Sequence, residues 1–191
     1  MPEVEYMPED LQFNGQLEDY KPQVACPTEA RRLQSWSRDA LSTYLNTLRA
    51  TGGTYHDNGM RWAIRMLSGS GVFSSDNPAT FGGMPVSKYI IFMTDGAMDT
   101  GWDTLYTTYG IEAWDARVTN GGYTSSARTK AARKADQEAR HLNRFDLLCT
   151  EAKRRGISIW VVAFAQDLTD SLSACASNAN QASTSDDQAA L

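Results

Sequence analysis

The sequence predicts an α/β domain on a partial, doubly wound parallel sheet. Three observations predict it. Lys88-Tyr-Ile-Ile-Phe-Met-Thr-Asp95-Gly96 is a run of large apolar residues that stops abruptly at an acidic turn. Ile157-Ser-Ile-Trp-Val-Val-Ala-Phe164 is a second such run, and a long helical pattern lies between the two. Strands that read as nearly continuous apolar runs belong to parallel sheets covered on both faces. A strand, a helix and a second strand then form one right-handed crossover unit. Two strands do not complete such a sheet, so something that pairs with them is missing.

The elements follow in order. Residues 1–27 are polar and interrupted by Pro2, Pro8, Gly15, Pro22 and Pro27, which predicts an irregular or extended segment with at most a short strand near 23–26. Residues 28–191 form the domain. Thr28 is an N-cap candidate after Pro27. Leu33, Trp36, Ala40, Leu41, Tyr44, Leu45 and Leu48 recur at helical spacing, giving one buried face up to the stop at Gly52 and Gly53. A shorter helix covers about 57–67, with Met60, Ala63, Ile64 and Leu67 inward. Residues 68–86, rich in Gly, Ser, Asn and Pro, read as loop.

After the strand at 88–93, residues 97–124 show no period and hold Trp102, Tyr106, Tyr109, Trp114 and Tyr123. Connections of that length are functional or mobile, and the aromatics are either a partner-binding surface or packing beneath the loop, with packing the preferred reading. A helix over about 126–155 has Ala131, Ala135, Ala139, Leu142, Phe145, Cys149 and Ala152 as its stripe and Gly156 as its stop. Lys130, Arg133, Lys134, Arg140 and Arg144 alternate with acids on a solvated face. The tail from 166 to 191 is mostly Ser, Asn, Asp and Ala and carries no further element in this reading.

Composition bounds the function. A chain of 191 residues with 41% hydrophobic and 21% charged residues is one globular domain with a real core. A net charge of -5 argues against a nucleic-acid binder, which presents a basic face. No run reaches the ~18 apolar residues of a membrane span, so no membrane contact is expected within this segment. The first residues, Met1-Pro-Glu-Val-Glu-Tyr, lack a signal-peptide layout, although a longer parent could carry one upstream. Cys26, Cys149 and Cys175 have no metal-type spacing. Cys149 falls on the helical stripe and reads as a small buried hydrophobe, while Cys26 and Cys175 are either a disulfide or two free thiols.

Two oxygen-bearing side chains stand out. Asp95 ends a buried strand, and ligand sites of open α/β sheets gather at the carboxyl edge. Thr54, after Gly52-Gly53, offers a hydroxyl at a helix start. Each has a plainer reading: Asp-Gly is a common turn pair, and Thr54 or Asp57 can simply cap the next helix. His56 and His141 have no partner at zinc-type spacing and read as structural or solvated.

With these residues in view, the chain resembles a von Willebrand factor A domain, a Rossmann-type α/β fold. More narrowly it resembles the C-terminal part of TadG-like proteins of the tight-adherence (Flp-type) pilus system. Gly52-Gly53-Thr54-Tyr-His-Asp-Asn-Gly-Met60-Arg-Trp62, Tyr89 to Gly96, Tyr109-Gly-Ile-Glu112, Leu148-Cys149, Lys153-Arg-Arg-Gly-Ile157 and Cys175-Ala-Ser177 carry the likeness. The resemblance implies a non-enzymatic protein-binding and assembly module of the bacterial cell envelope, extracytoplasmic or secreted. It implies a metal-ion-dependent adhesion site for Mg²⁺, with Thr54 a direct ligand, Asp95 a water-mediated one, and a place left for a partner's carboxylate. The family's first loop, Asp-x-Ser-x-Ser after a central strand, does not precede Thr54, so the resemblance implies that the strand missing from the sheet is the first central one. Asp167-Leu-Thr-Asp-Ser171 is similar but follows the other two loops and is taken as coincidence. The chain is therefore expected to be the C-terminal portion of a longer protein, with Mg²⁺ binding weak or absent in this portion. The competing readings are a metal-assisted hydrolase, which needs a base such as His56 near Asp95, and a structural fragment without a competent site.

Overall fold

In the computed structural model, the residues described are 28–48, 53–100, 107–110, 112 and 130–185. Helix α1 (Arg38–Leu45) leads to α2 (His56–Leu67), a hairpin of β1 (Thr80–Phe81) and β2 (Met84–Pro85), and β3 (Lys88–Thr94). Helix α3 (Lys130–Arg154), β4 (Ile157–Phe164), α4 (Asp170–Cys175) and β5 (Ala182–Ser185) follow. The main sheet has the order β3-β4-β5, with both pairings parallel. Lys88 lies opposite Ile157 and Thr94 opposite Ala163, so the two apolar runs stand in full register. The strand–helix–strand unit is thus as expected, and the sheet is parallel with helices beside it.

Beneath that frame the structure corrects several expectations. The first helix does not start at Thr28. Ser37 is the cap, its hydroxyl accepting from the Ala40 amide, and Thr28 donates its hydroxyl to the Thr47 carbonyl instead. No residue of α1 is buried, and Leu33, Leu41, Leu45 and Leu48 are exposed. The segment before it is tied down by Arg32, which grips Asp76 with two hydrogen bonds of 2.7 and 2.6 Å. The stretch read as loop holds the small hairpin, whose turn is Gly82-Gly83 with φ of 58° and 81°. Two consecutive positive φ angles suit a primed hairpin turn and favour glycine.

The polar tail is also structured. Thr169 caps α4 by accepting from the Leu172 amide, which explains the loop 167–171 as a helix start. Strand β5 pairs with β4 although its residues are Ala-Ser-Thr-Ser, because the backbone ladder needs no apolar side chains. Cys175 on α4 is joined to Cys149 on α3 by a buried disulfide. That replaces the pairing considered for Cys26, which lies outside the described residues, and corrects the reading of Cys149 as a free apolar thiol.

The core fills one side of the sheet. Ile157, Ile159, Val161 and Ala163 of β4 and Ile90 of β3 meet Met60 and Ile64 of α2, Phe145, Cys149 and Ala152 of α3, and Leu172 of α4. The buried line of α3 reads Gln137, His141, Phe145, Cys149 and Ala152, whereas Ala131, Ala135 and Ala139 are exposed. The predicted stripe therefore holds only over the second half. The first half turns two polar side chains inward, for reasons the site makes plain.

Coverage of both faces, implied by the apolar strands, is not seen among the described residues. Tyr89, Ile91 and Met93 of β3 are 61%, 69% and 55% exposed, and Trp160 of β4 shares their side of the sheet. Among the described residues β3 pairs with β4 alone. An apolar edge strand without an inward charge or proline promotes association. Replacing Ile91 and Met93 together by lysine is expected to raise the monodisperse fraction measured by light scattering, with an unchanged far-ultraviolet circular dichroism spectrum. Equal aggregation in the variant would contradict this assignment.

Candidate functional site at the carboxyl edge of the sheet

The loops bearing Thr54 and Asp95 meet. Thr54 forms an antiparallel bridge with Asp99, its amide donating to the Asp99 carbonyl at 2.6 Å and its carbonyl accepting from the Asp99 amide at 3.1 Å. A Cβ placed on Gly96 would lie 3.6 Å from Thr54 Oγ1, so Gly96 is where the two loops touch. Helix α2 begins just after, with Tyr55 as its N-cap and no capping bond from a side chain. Neither Thr54 nor Asp57 serves as the cap, and the plainer reading of each fails there.

The Asp95 turn is pinned from three sides. Thr94 Oγ1 donates to the Gly96 carbonyl at 2.9 Å and accepts from its amide at 3.3 Å. His56 Nε2 stands 3.1 Å from both Thr94 Oγ1 and the Gly96 carbonyl. Gln166 Nε2 donates to the Gly96 carbonyl at 3.2 Å. Ala165, the residue before it, adopts φ of 53°, a left-handed conformation that costs a non-glycine residue roughly 1 kcal/mol. Burial lowers the pKa of His56, partly offset by its bond to the Gly96 carbonyl and by Asp57. A neutral ring with its proton on Nε2, aimed at that carbonyl, satisfies the geometry. His56 also packs edge-on against Phe92 and beside Phe145, at centroid distances of 5.5 and 5.4 Å. Asp95 itself is exposed.

A hydroxyl and a carboxylate are the right donors for a small hard cation. Mg²⁺ asks for six oxygens in near-octahedral array. Thr54 and Asp95 fit that ion in type but not in number. Among the described residues no three His, Cys, Asp or Glu side chains gather as a metal-binding group.

Behind this edge lies a buried polar network that sequence reasoning did not anticipate. His141 on α3 is fully buried, with Nδ1 2.8 Å from Asp57 Oδ2 and Nε2 2.6 Å from Glu112 Oε1. Tyr109 donates its hydroxyl to Asp57 Oδ2 at 2.7 Å, and Tyr55 donates to Glu112 Oε2 at 3.0 Å. Gln137 Nε2 also donates to Glu112 Oε2, while its Oε1 accepts from the Thr100 hydroxyl at 2.8 Å. The polar half of α3 faces inward to complete these bonds. A buried polar group without a partner costs free energy comparable to a lost hydrogen bond.

Electrostatics follow from the contacts. Burial alone would lower the pKa of His141, but hydrogen bonds to Asp57 and Glu112 outweigh it and push the value up to about 9. Burial would raise Asp57, yet the bonds from His141 and Tyr109 hold it below the ordinary carboxylate range. Burial and the Asp57 carboxylate push Tyr109 up to about 12. The guanidinium groups of Arg61 and Arg144 lie 5.1 and 5.5 Å from the centre of the Tyr109 ring. Arg144, read as solvated, is thus engaged with an aromatic face.

Tyr109 is buried against Tyr55 and His141, so this member of the aromatic cluster packs inward. Trp102, Tyr106, Trp114, Tyr123 and the predicted helix start at 126 lie outside the described residues. The sequence signal for the network was that Tyr55, Asp57 and Tyr109-Gly-Ile-Glu112 fall in stretches that carry the resemblance. No helix among the described residues is long and apolar enough to cross a membrane. No family model, no curated protein and no solved structure matches the chain.

Proposed function

We propose that this chain is a non-enzymatic protein-binding and assembly module of a bacterial tight-adherence pilus system, similar to the C-terminal part of TadG-like proteins. The observation that carries the reading is the meeting of the Thr54 and Asp95 loops at Gly96, on the carboxyl edge of a parallel sheet. On this reading Thr54 and Asp95 are remnants of a metal-ion-dependent adhesion site in a von Willebrand factor A-like domain. A companion strand beside β3 would bring the remaining oxygen ligands. The buried Cys149–Cys175 disulfide supports an extracytoplasmic setting, since structural disulfides persist where the compartment is oxidising. His56, the only candidate base by sequence near Asp95, directs Nε2 at the Gly96 carbonyl, which favours binding over metal-assisted hydrolysis.

The test is made in the bacterium that encodes the protein. Replacing Thr54 and Asp95 together by alanine is expected to reduce surface attachment, measured by dye staining of adherent cells, to the level of a strain lacking the gene. Growth and the amount of folded protein should be unchanged. Wild-type attachment by the double variant would overturn the reading.

A further inference from the structure

We infer that His141 is a positioning residue: as an imidazolium donating from both ring nitrogens, it fixes the Thr54 loop and the segment carrying Tyr109 and Glu112 against helix α3. The two ring nitrogens point in opposite directions, and each faces a carboxylate oxygen, at 2.8 and 2.6 Å. A neutral ring has one N–H, so its other nitrogen would turn a lone pair onto a carboxylate. Asp57 accepts from Tyr109, and Glu112 accepts from Tyr55 and Gln137. The doubly protonated ring gives each facing oxygen, Asp57 Oδ2 and Glu112 Oε1, a donor without placing a proton on either carboxyl group.

The same geometry rules out a shared ion. Asp57 and Glu112 lie on opposite edges of the imidazole, and no one cation can take both carboxylates and the ring. The groups that face His141 are Asp57 from α2, Glu112 and Tyr109 from the connecting segment, and Tyr55 from the Thr54 loop. Arg61 and Arg144 lie over the Tyr109 ring. Asp57 stands three residues after Thr54, and Thr100, bonded to Gln137 one turn before His141, stands one residue after Asp99, the backbone partner of Thr54. The charge therefore sits at the point where both loops of the candidate site are anchored. This role does not depend on what the site binds.

Long-range ¹H–¹⁵N correlation of the imidazole rings between pH 5 and 10 tests it. Both His141 nitrogens should keep imidazolium shifts through pH 8, while His56 shows a single neutral tautomer at pH 8. A one-proton tautomer of His141 at pH 7 would overturn the inference without any variant. Hydrogen exchange gives the positional readout. Corrected for the intrinsic pH dependence, exchange at Tyr55, Asp57 and Tyr109 should quicken by about tenfold for each pH unit between the ordinary imidazole pKa of about 6.5 and the titration of His141, and level off above it. His141→Gln should exchange fast at every pH, with no step. A step retained in His141→Gln, or none in the wild type, would show that the charge positions nothing.

Discussion

Removing the Cys149–Cys175 disulfide is expected to lower the unfolding free energy by about 3.5 kcal/mol, the largest single loss predicted for this chain. The bridge spans a sequence separation of 26 residues, and opening it returns that loop's freedom to the unfolded ensemble. Both cysteines are buried in the core, where they join α3 to α4 beneath β4. Helix α4 has only six residues, capped by Thr169, and besides the bridge it is held by Leu172 in the core and by Ser171 donating to Asp146 at 3.3 Å. Lys153 adds a hydrogen bond to the Ala174 carbonyl at 2.6 Å, but an exposed contact of this kind contributes little. Urea unfolding of oxidised and reduced protein, and of Cys149→Ala with Cys175→Ala, provides the measurement. The midpoint should fall by the same amount in the last two. Coincident midpoints for oxidised and reduced protein would show that the bridge contributes nothing.

The second large effect is loss of stability at alkaline pH. His141 has its pKa raised from the ordinary 6.5 to about 9. Its contribution is therefore complete below pH 6.5 and disappears as pH rises through about 9. A gap of that width corresponds to about 3 kcal/mol. Tyr109, pushed up to about 12 from 10.0, adds to the decline at still higher pH, because the unfolded phenol ionises first. Acid acts through other groups. His56 resists protonation in the folded state, so stability falls as pH drops below 6.5, and the depressed Asp57 adds its loss below its ordinary 3.8. Thermal unfolding between pH 4 and 10 should peak close to neutrality and decline on both sides. A melting temperature that is flat from pH 7 to 10 would contradict the imidazolium bridge. In His141→Gln the alkaline slope up to pH 10 should vanish along with the lost stability.

What the sequence conveyed was local pattern. Strands β3 and β4 were legible because runs such as Tyr89-Ile-Ile-Phe-Met93 have one reading at that length, and α2 because Met60, Ile64 and Leu67 repeat at helical spacing. Thr54 and Asp95 could be paired because each lies next to a boundary that the pattern marks. What remained hidden was decided at long range. Strand β5 is invisible in Ala-Ser-Thr-Ser, since its place comes from the ladder offered by β4. The alanines of α3 suggested the wrong inner face, because tertiary hydrogen bonds to Gln137 and His141 overrode hydrophobic period. His141 lies 84 residues from Asp57, and no local motif links them. The start of α1 was misplaced because Thr28 and Ser37 are both acceptable caps, and only geometry selects between them.

Helix α3 repeats its inward positions 137, 141, 145 and 149 every fourth residue, while an α-helix turns once in about 3.6. Each step thus advances by roughly 40°, and the inner line winds like a screw thread along the shaft. The amino-terminal thread engages the loops above the sheet, and the carboxyl-terminal thread engages the sheet itself. Deleting one residue between 141 and 145 would swing one end by about 100° against the other. The helix works as a single shaft, so neither the platform above nor the packing below can be re-indexed alone.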